Sequence, residues 1–280
     1  MERIVFADRS DRGKLRVGDE QRAWFLDQVL TQSIQDMAPG EARDAAMITV
    51  HGRMQAYVEL VATEEEILLH FEPELRDFLP EALQAYVFAT RVTLEDATDE
   101  MGLILLAGTG WDDIARELPE VAALHPTSSL GVDAGYVWLP AGEKPAAIEA
   151  LRRRGLSNAS EDELETLRIT NAVARWGRDM DNKTFPQEAG VDGRAVHYEK
   201  GCYLGQEAMA KIHFRGKVNR RLASLEGSGP LEPGAEVTAE DQKIGAVTSA
   251  SNGRALALVR HSVEPGTKVK AGGTVATVVS

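Results

Sequence analysis

The reactive chemistry of this chain centres on its only cysteine, which lies in the segment Lys200-Gly201-Cys202-Tyr203-Leu204-Gly205-Gln206-Glu207. Thiolate is the reactive form of cysteine, and both a nearby lysine and a helix N-terminus stabilise it. Lys200 lies close to Cys202 in the sequence, and a helix is predicted to begin near Gln206. The flanking glycines permit the unusual backbone angles that a site loop needs. The segment predicts a reactive thiol in a loop; the alternative is a buried, inert cysteine.

The overall charge is acidic but unevenly distributed. The chain has 31 basic and 44 acidic residues, a net charge of −13, which argues against broad nucleic-acid binding. Residues 200–221 carry six basic side chains and one acidic side chain, Glu207. This basic segment predicts that a specific anionic ligand binds locally, because the arginine fork suits carboxylates. The candidates are Arg215, Arg220 and Arg221, and a solvated arginine is the alternative for each of them.

The composition describes an ordinary globular chain of 280 residues, long enough for two packed units. No apolar run approaches the ~20 residues that a membrane span requires. The N-terminus begins with charged residues, so no signal peptide is predicted. One cysteine cannot form an internal disulfide, and His197 and His213 near it lack metal-ligand spacing, so no metal site is predicted. We therefore expect a cytoplasmic, reducing location.

The first hundred residues mix helices and strands. Apolar residues at helical spacing predict an early helix with Asp19 as its cap. A further helix is predicted over 73–83, and Pro80 is expected to kink or split it. Runs of β-prone residues predict strands at 45–50, 54–62 and 67–71.

Helices are predicted in the middle of the chain and a barrel at its end. Residues 144–154 are typical of a helix ended by Gly155. Ser160 and Glu163 form a capping box at the start of the next helix, which is predicted to reach Val173. From residue 218 onward, short β-prone runs separated by Gly, Pro and Asn indicate a small antiparallel barrel. The predicted domains are an α+β region at 1–216 and a β-barrel at 217–280.

The segment around Cys202 resembles the K-G-C-Y-x-G-Q-E signature of the folate-binding YgfZ family. Relatives of this family include the glycine-cleavage T-protein and mitochondrial iron–sulfur assembly factors. The run Trp176-Gly177-Arg178-Asp179, followed by Thr184-Phe185-Pro186-Gln187-Glu188, is similar to the family's G-x-D/E … T-x-P-x-E segment. Residues 216–225 resemble the start of its C-terminal barrel, and residues 18–31 resemble its N-terminal segment. The resemblance implies an α+β fold in which two α+β subdomains and a small antiparallel β-barrel form a ring around a tetrahydrofolate site.

The resemblance also implies which residues contact tetrahydrofolate or a related folate. Asp179 would accept the adjacent N–H donors of the pterin ring. Trp176 and Tyr203 would stack on the ligand's rings, and Arg215 or Arg221 would bind its anionic tail. Structural alternatives stay open, with Asp179 as the cap of a turn and Trp176 as a core residue.

Cys202 and Lys200 are the residues that the resemblance assigns to catalysis. Cys202 would resolve a persulfide or transiently hold cluster sulfur or iron. Gln206 and Glu207 are assigned to the folate site, and the alternative is that they orient the loop through hydrogen bonds.

The function implied is that of a tetrahydrofolate-binding accessory protein for iron–sulfur cluster assembly or repair, which affects tRNA-modifying iron–sulfur enzymes. Its partners would be the folate and either the assembly machinery or client iron–sulfur enzymes. An alternative is a folate-dependent aminomethyltransferase or demethylase. Those relatives carry an aspartate pair after the early hairpin, whereas residues 52–57 contain no carboxylate here. In this alternative, Asp179 or Glu188 would have to take the role of the missing aspartate. A third reading is a folate-binding scaffold whose basic segment docks a partner.

Overall fold

A computed structural model describes residues 3–216 and 218–280 of the chain, apart from the side chain of Arg215. The predicted domain boundary falls at Lys217, which lies outside the described residues, so the division there stays a prediction. The described residues form two five-stranded sheets and a closed six-stranded barrel. None of the described helices has both the length and the apolar composition of a membrane span.

Short helices lie between many of the strands before the barrel, and none of the described residues of the barrel forms a helix. The strands of the two open sheets are β1 (Val5–Asp8), β2 (Gly13–Gly18), β3 (Ala42–Ile48), β4 (Met54–Ala62), β5 (Ile67–Phe71), β6 (Thr93–Asp96), β7 (Met101–Ala107), β8 (Ala123–Pro126), β9 (Ala134–Pro140) and β10 (Ser157–Asn158). The barrel strands are β11 (Arg220–Gly227), β12 (Glu236–Ala239), β13 (Gln242–Ser251), β14 (Arg254–Arg260), β15 (Lys268–Ala271) and β16 (Thr274–Val278). The helices are α1 (Arg22–Val29), α2 (Phe78–Gln84), α3 (Trp111–Arg116), α4 (Lys144–Arg153), α5 (Glu161–Thr170), α6 (Asp192–Ala195) and α7 (Gln206–Arg215).

The two open sheets pack against each other and share a hydrophobic cluster. The first sheet has the order β3-β4-β5-β2-β6, and the second has the order β10-β1-β7-β9-β8. Because β1 belongs to the second sheet and β2 to the first, the turn at residues 9–12 passes from one sheet to the other. Strand β8 packs against β4. Side chains from this turn, from β4 and from β8 are thereby brought to the junction of the sheets.

The barrel packs against helix α5. The helix begins with the predicted capping box, in which Ser160 and Glu163 each bond the other's backbone N–H. It ends at Thr170 rather than at Val173, because Ala172 adopts a left-handed φ of 57°, which a helix cannot continue through. Its side chains contact β13 and β14. Helix α5 thus lies between the sheets and the barrel, which places the charged residues that follow it near the sheet junction.

The α+β fold with a C-terminal antiparallel barrel is confirmed, although several local predictions are wrong. The helix predicted over 73–83 is a short 3-10 turn, Pro73–Leu75, followed by α2. Pro80 lies inside the first turn of α2, where a missing N–H costs little. Asp19 is not the cap of α1; it adopts a positive φ of 72°, and Gln21 precedes the helix.

Candidate functional site

Lys200 binds the end of helix α1 rather than Cys202. Its Nζ donates hydrogen bonds to the carbonyl oxygens of Asp27, Leu30 and Gln32, at 2.5, 2.9 and 2.6 Å. Carbonyls at a helix end lack partners within the helix, so this ammonium satisfies them. Burial lowers the pKa of Lys200 to about 8, against the opposing effect of the Asp27 carboxylate. The expectation that Lys200 activates the thiol is therefore corrected: its N–H donors are committed to α1.

Tyr203, Gly205 and Gln206 hold the rest of the loop in place. Tyr203 is buried in the core of the first sheet, where burial raises its pKa to about 12. Gly205 has a φ of +81°, and a Cβ there would lie 2.4 Å from the Thr49 carbonyl oxygen. The Gln206 amide donates a 3.2 Å hydrogen bond to the Lys200 carbonyl. These side chains fix the loop to the first sheet.

Cys202 is exposed to solvent between these anchors. Glu207 is also exposed and pairs with Lys211 one turn along α7, at 2.7 Å. A Cβ at Gly201 would meet nothing within 4 Å. The alternative of a buried, inert cysteine is wrong. The loop presents the only thiol of the chain at the surface on a backbone that is tied down on both sides.

The anchoring role of Lys200 predicts a stability effect. Lys200→Met is expected to lower the free energy of unfolding by about 2–3 kcal/mol, because a buried charged donor is lost from three carbonyls. Urea denaturation measures this, and the rate of Cys202 modification by a disulfide reagent is measured alongside. Lys211→Met, on the exposed face of α7, is the matched control and is expected to change stability by less than about 0.5 kcal/mol. Unchanged stability with slower thiol modification in Lys200→Met would instead support thiolate activation.

Asp179 connects the segment after α5 to the barrel. It is 1% exposed. Its Oδ2 accepts hydrogen bonds from Arg168 at 2.6 Å and from the Arg175 backbone N–H at 3.1 Å. Its Oδ1 accepts from Thr248 and Ser249 of β13, at 2.5 and 2.8 Å. Both carboxylate oxygens of Asp179 thus accept hydrogen bonds from the protein itself. Asp179 was expected to bind the pterin ring, but it contacts the barrel instead.

The predicted tail-binding arginines hold the start of the barrel. Arg220 bonds both carboxylate oxygens of Glu188, at 3.0 and 2.9 Å. Arg221 donates to the carbonyls of Val263 and Ser280, at 2.7 Å each. The side chain of Arg215 lies outside the described residues. Neither Arg221 nor Glu188 reaches the central cavity described next.

A central cavity of about 50 Å³ lies at the junction of the two sheets, beside α5. Its walls are unusually rich in charge for an interior site. The arginines that line it are Arg9, Arg12, Arg168, Arg175 and Arg194. The carboxylates are Asp44, Glu59, Glu72 and Glu165, and the aromatic residues are Tyr57, Tyr136 and Trp176. Of the residues predicted to bind folate, Trp176 is the one that lines this cavity among the described side chains.

Several of the charged side chains that line the cavity form ion pairs with one another. Glu72 pairs with Arg12 and with Arg175, at 3.0 Å in each case. Burial alone would raise the pKa of Glu72, but the two guanidinium groups overcome it and hold that pKa below its usual value. Burial raises the pKa of Glu59, which lies 3.6 Å from Arg12 and accepts a hydrogen bond from Thr127. The negative charge of Glu59 is thus balanced less fully by neighbouring guanidinium groups than the negative charge of Glu72.

An outer groove of about 410 Å³ lies next to the cavity and shares two of its lining residues, Asp44 and Arg194. Arg194 lies 3.1 Å from the Asp44 carboxylate and donates a hydrogen bond to the Tyr57 hydroxyl at 2.8 Å. These side chains form the wall between the cavity and the groove. A ligand that displaced this contact would extend from the sheet junction to the surface.

A row of polar side chains crosses the first sheet toward the second. Directly paired residues in neighbouring strands are Asp44 with Glu59, Glu59 with His70, and His70 with Lys14. Paired residues point to the same face of a sheet. All but Asp44 are nearly inaccessible to solvent. His125 of β8 faces this row from the second sheet, with its ring centroid 4.9 Å from that of His70.

Sequence reasoning missed most of these cavity residues, although a signal was present. Glu59 and His70 interrupt strands that are otherwise apolar, and Arg168 interrupts the buried face of α5. A buried charge needs a partner, so such an interruption indicates an interior polar site. Which of these residues pair with one another could not be inferred from the sequence, because the partners lie on different strands and helices.

Comparison with known proteins agrees with the architecture. The family model of the CAF17 C-terminal β-barrel domain matches residues 219–280. The solved structure of glycine cleavage system aminomethyltransferase T from Bartonella henselae superposes with a TM-score of 0.88 at 18% identity, covering 100% of this chain and 86% of that one. The fold is therefore that of a T-protein-like protein.

Curated relatives come from both branches of that class. A chloroplastic protein of Arabidopsis thaliana is 27% identical over 90% of this chain, which spans 62% of the relative's length. The tRNA-modifying protein YgfZ of Colwellia psychrerythraea is 25% identical, covering 77% of this chain and 69% of that protein. An aminomethyltransferase of Rubrobacter xylanophilus is 24% identical, with 86% and 70% covered. The chain is thus similar in sequence to aminomethyltransferases and to a YgfZ protein, and its C-terminal barrel matches the CAF17 barrel model.

The cavity residues fit the chemistry of a reduced folate. The Nε of Arg12 is buried without a hydrogen-bond partner among the described residues, which leaves one donor for a carbonyl oxygen of a bound ring. Glu59 offers an acceptor for pterin N–H groups, and Tyr136 and Trp176 offer apolar ring faces. Ligand pockets have volumes of roughly 300–1,000 Å³. Binding would therefore require the ion pairs at the cavity wall to open toward the outer groove.

Proposed function

We propose that this protein binds tetrahydrofolate or a related folate in the central cavity and acts as an accessory protein in iron–sulfur cluster assembly or repair. The cavity carries the folate half of this proposal. It is the interior site where carboxylates, guanidinium groups and aromatic faces converge, in a chain with a T-protein-like fold. Glu59 and Arg12 would bind the pterin ring, and Arg194 would meet the anionic tail at the outer groove. The bound folate would supply or accept one-carbon or reducing equivalents.

The exposed thiol supports the iron–sulfur half of the proposal. None of residues 200–207 lines the cavity, so Cys202 and the folate site are separate features. A surface thiol on an anchored loop suits contact with another protein. The partner would be the iron–sulfur assembly machinery or a client such as a tRNA-modifying iron–sulfur enzyme. A free, exposed thiol persists in a reducing compartment, where we place the protein.

A folate-dependent aminomethyltransferase or demethylase is the second candidate, and Glu59 is the observation that favours it. The early hairpin lacks the relatives' aspartate, but Glu59 follows it on β4 and lines the cavity. Its raised pKa suits a group that exchanges protons with an amine. Asp179 and Glu188, the earlier candidates for this role, are bound to Arg168 and Arg220 instead. Folate turnover with a small amine donor would support this candidate.

The role of the thiol is tested by complementation. Cys202→Ala is expected to reduce iron–sulfur enzyme activity under oxidative stress to the level of the deletion strain, because no other thiol is present. The activities of iron–sulfur enzymes in the complemented strain are the measurement. Gly201→Ala is the matched control, since its added Cβ meets nothing and the thiol is kept. Full activity with Cys202→Ala at normal protein levels would remove the thiol from the mechanism.

A further inference from the structure

Glu59, His70 and His125 form a buried cluster behind the central cavity. Glu59 and His70 are directly paired on β4 and β5, and His125 comes from β8 of the other sheet. Each offers one ligand atom, and these three atoms lie within 4.8 Å of one another. Glu59 is 2% exposed and both histidines are fully buried. The cluster therefore joins the two sheets at a buried point, and Glu59 connects it to the cavity that it lines.

The two histidines have no hydrogen-bond partner for any of their ring nitrogens among the described residues. Buried polar groups are nearly always paired, because a donor or acceptor that loses water without gaining a partner destabilises the fold. Four such atoms on adjacent rings are a large departure from that rule. Aromatic packing alone, with His70 in a T-shaped contact with Tyr136 at 4.4 Å, would be served equally by phenylalanine. The unpaired nitrogens indicate that a ligand of the cluster is missing.

We propose that Glu59, His70 and His125 bind a divalent transition-metal ion such as Zn²⁺. Two imidazoles and one carboxylate form a three-residue ligand set that leaves a further position for water or another small ligand. Nitrogen ligands favour Zn²⁺ or Fe²⁺ over Mg²⁺ and Ca²⁺, which prefer oxygen. This site shares Glu59 with the folate contacts proposed above. His70 and His125 take no part in those contacts.

The surroundings of the cluster support this ligand set. Thr127 donates a hydrogen bond to Glu59 Oε2, as second-sphere groups do for ligating carboxylates, whereas Oε1 is the oxygen that faces Arg12. Ligand atoms around one Zn²⁺ lie about 3.3 Å apart. Side-chain rotations that move each of the three ligand atoms by about an ångström would bring them to that spacing. Arg12 lies 3.6 Å from Glu59, but it is paired with Glu72, which offsets its charge.

Metal binding to the untagged 280-residue chain tests this proposal without folate. After treatment with EDTA and its removal, the protein is titrated with Zn²⁺ and, as a spectroscopic probe, with Co²⁺. We expect one ion per chain and the intense visible Co²⁺ absorption of a four- or five-coordinate nitrogen and oxygen site. His125→Phe keeps the ring packing and is expected to weaken binding by at least about 100-fold, because a ligand is lost.

The variants make the outcome decisive. Glu59→Gln should weaken binding similarly, and it serves in place of His125→Phe if that variant does not fold. His261→Gln removes an exposed histidine and is expected to leave binding unchanged. Absence of one-to-one binding, or equal binding by wild type and both cluster variants, would overturn the site. Loss of metal binding with folate affinity retained in His125→Phe would leave the proposed function standing.

Discussion

Replacing Asp179 with alanine is expected to lower the free energy of unfolding by about 3–5 kcal/mol, the cost of breaking a buried ion pair from one side. Arg168 would keep its charge in an interior position and would lose one of its two carboxylate partners, leaving its ion pair with Glu165 at 2.5 Å. Thr248 and Ser249 of the barrel would lose their shared acceptor. These contacts join the barrel to α5. In the variant we therefore expect the barrel to separate from the two sheets before the sheets themselves unfold. Chemical denaturation followed by tryptophan fluorescence measures the loss.

Asp99→Ala is the control for this variant. Asp99 pairs with Arg76 on the surface at 3.0 Å, with 84% of its side chain exposed, so its removal should cost less than about 1 kcal/mol. An Asp179→Ala protein as stable as the wild type, but with weakened folate binding, would contradict the structural role. That outcome would support the prediction that Asp179 binds the pterin ring.

Local sequence signals predicted much of the secondary structure. The strands expected at 54–62 and 67–71 are β4 and β5 with the same bounds. The capping box at Ser160 is present, because both of its partners lie within one turn. Strand β15 was missed: Lys268 and Lys270 point to solvent and leave too few apolar residues for a β-prone run. Short-range patterns therefore predicted well those elements whose stabilising contacts are themselves short-range.

The location of the thiol loop was predictable, but the partners of its residues were not. Lys200 binds carbonyls about 170 positions earlier in the chain, so its proximity to Cys202 in the sequence was misleading. Asp179 likewise finds Thr248 and Ser249 on a barrel strand. Long-range polar contacts of this kind depend on how the units pack. Sequence spacing alone carries no information on that packing.

The cavity was missed for the same reason. Arg12, Glu59, Glu72 and Arg175 come from four separate segments, and none has the spacing of a motif. Glu59, Glu72 and Arg175 each lie in or beside an apolar run, whereas Arg12 lies in a charged turn. Such residues become a site only when the turn between β1 and β2 brings the two sheets together. The fold was thus predictable from patterns, whereas the candidate ligand site required the packing.

Glu59→Gln is expected to weaken the binding of a reduced folate by about 10–100-fold. The substitution keeps the shape of the side chain and the Thr127 hydrogen bond but removes the charge. A charge-assisted hydrogen bond contributes about 1.5–3 kcal/mol, and every 1.4 kcal/mol is about tenfold in affinity. Glu117→Gln is the matched control, because Glu117 is exposed and remote from the cavity lining. EDTA in the buffer keeps any metal at Glu59 out of the comparison.

Isothermal titration of 5-formyltetrahydrofolate into these three proteins is the most direct test of the central cavity as a folate site. The account predicts one folate per chain for the wild type and for Glu117→Gln, with clearly weaker binding by Glu59→Gln. No detectable heat with the wild type, or the same affinity in all three proteins, would contradict it.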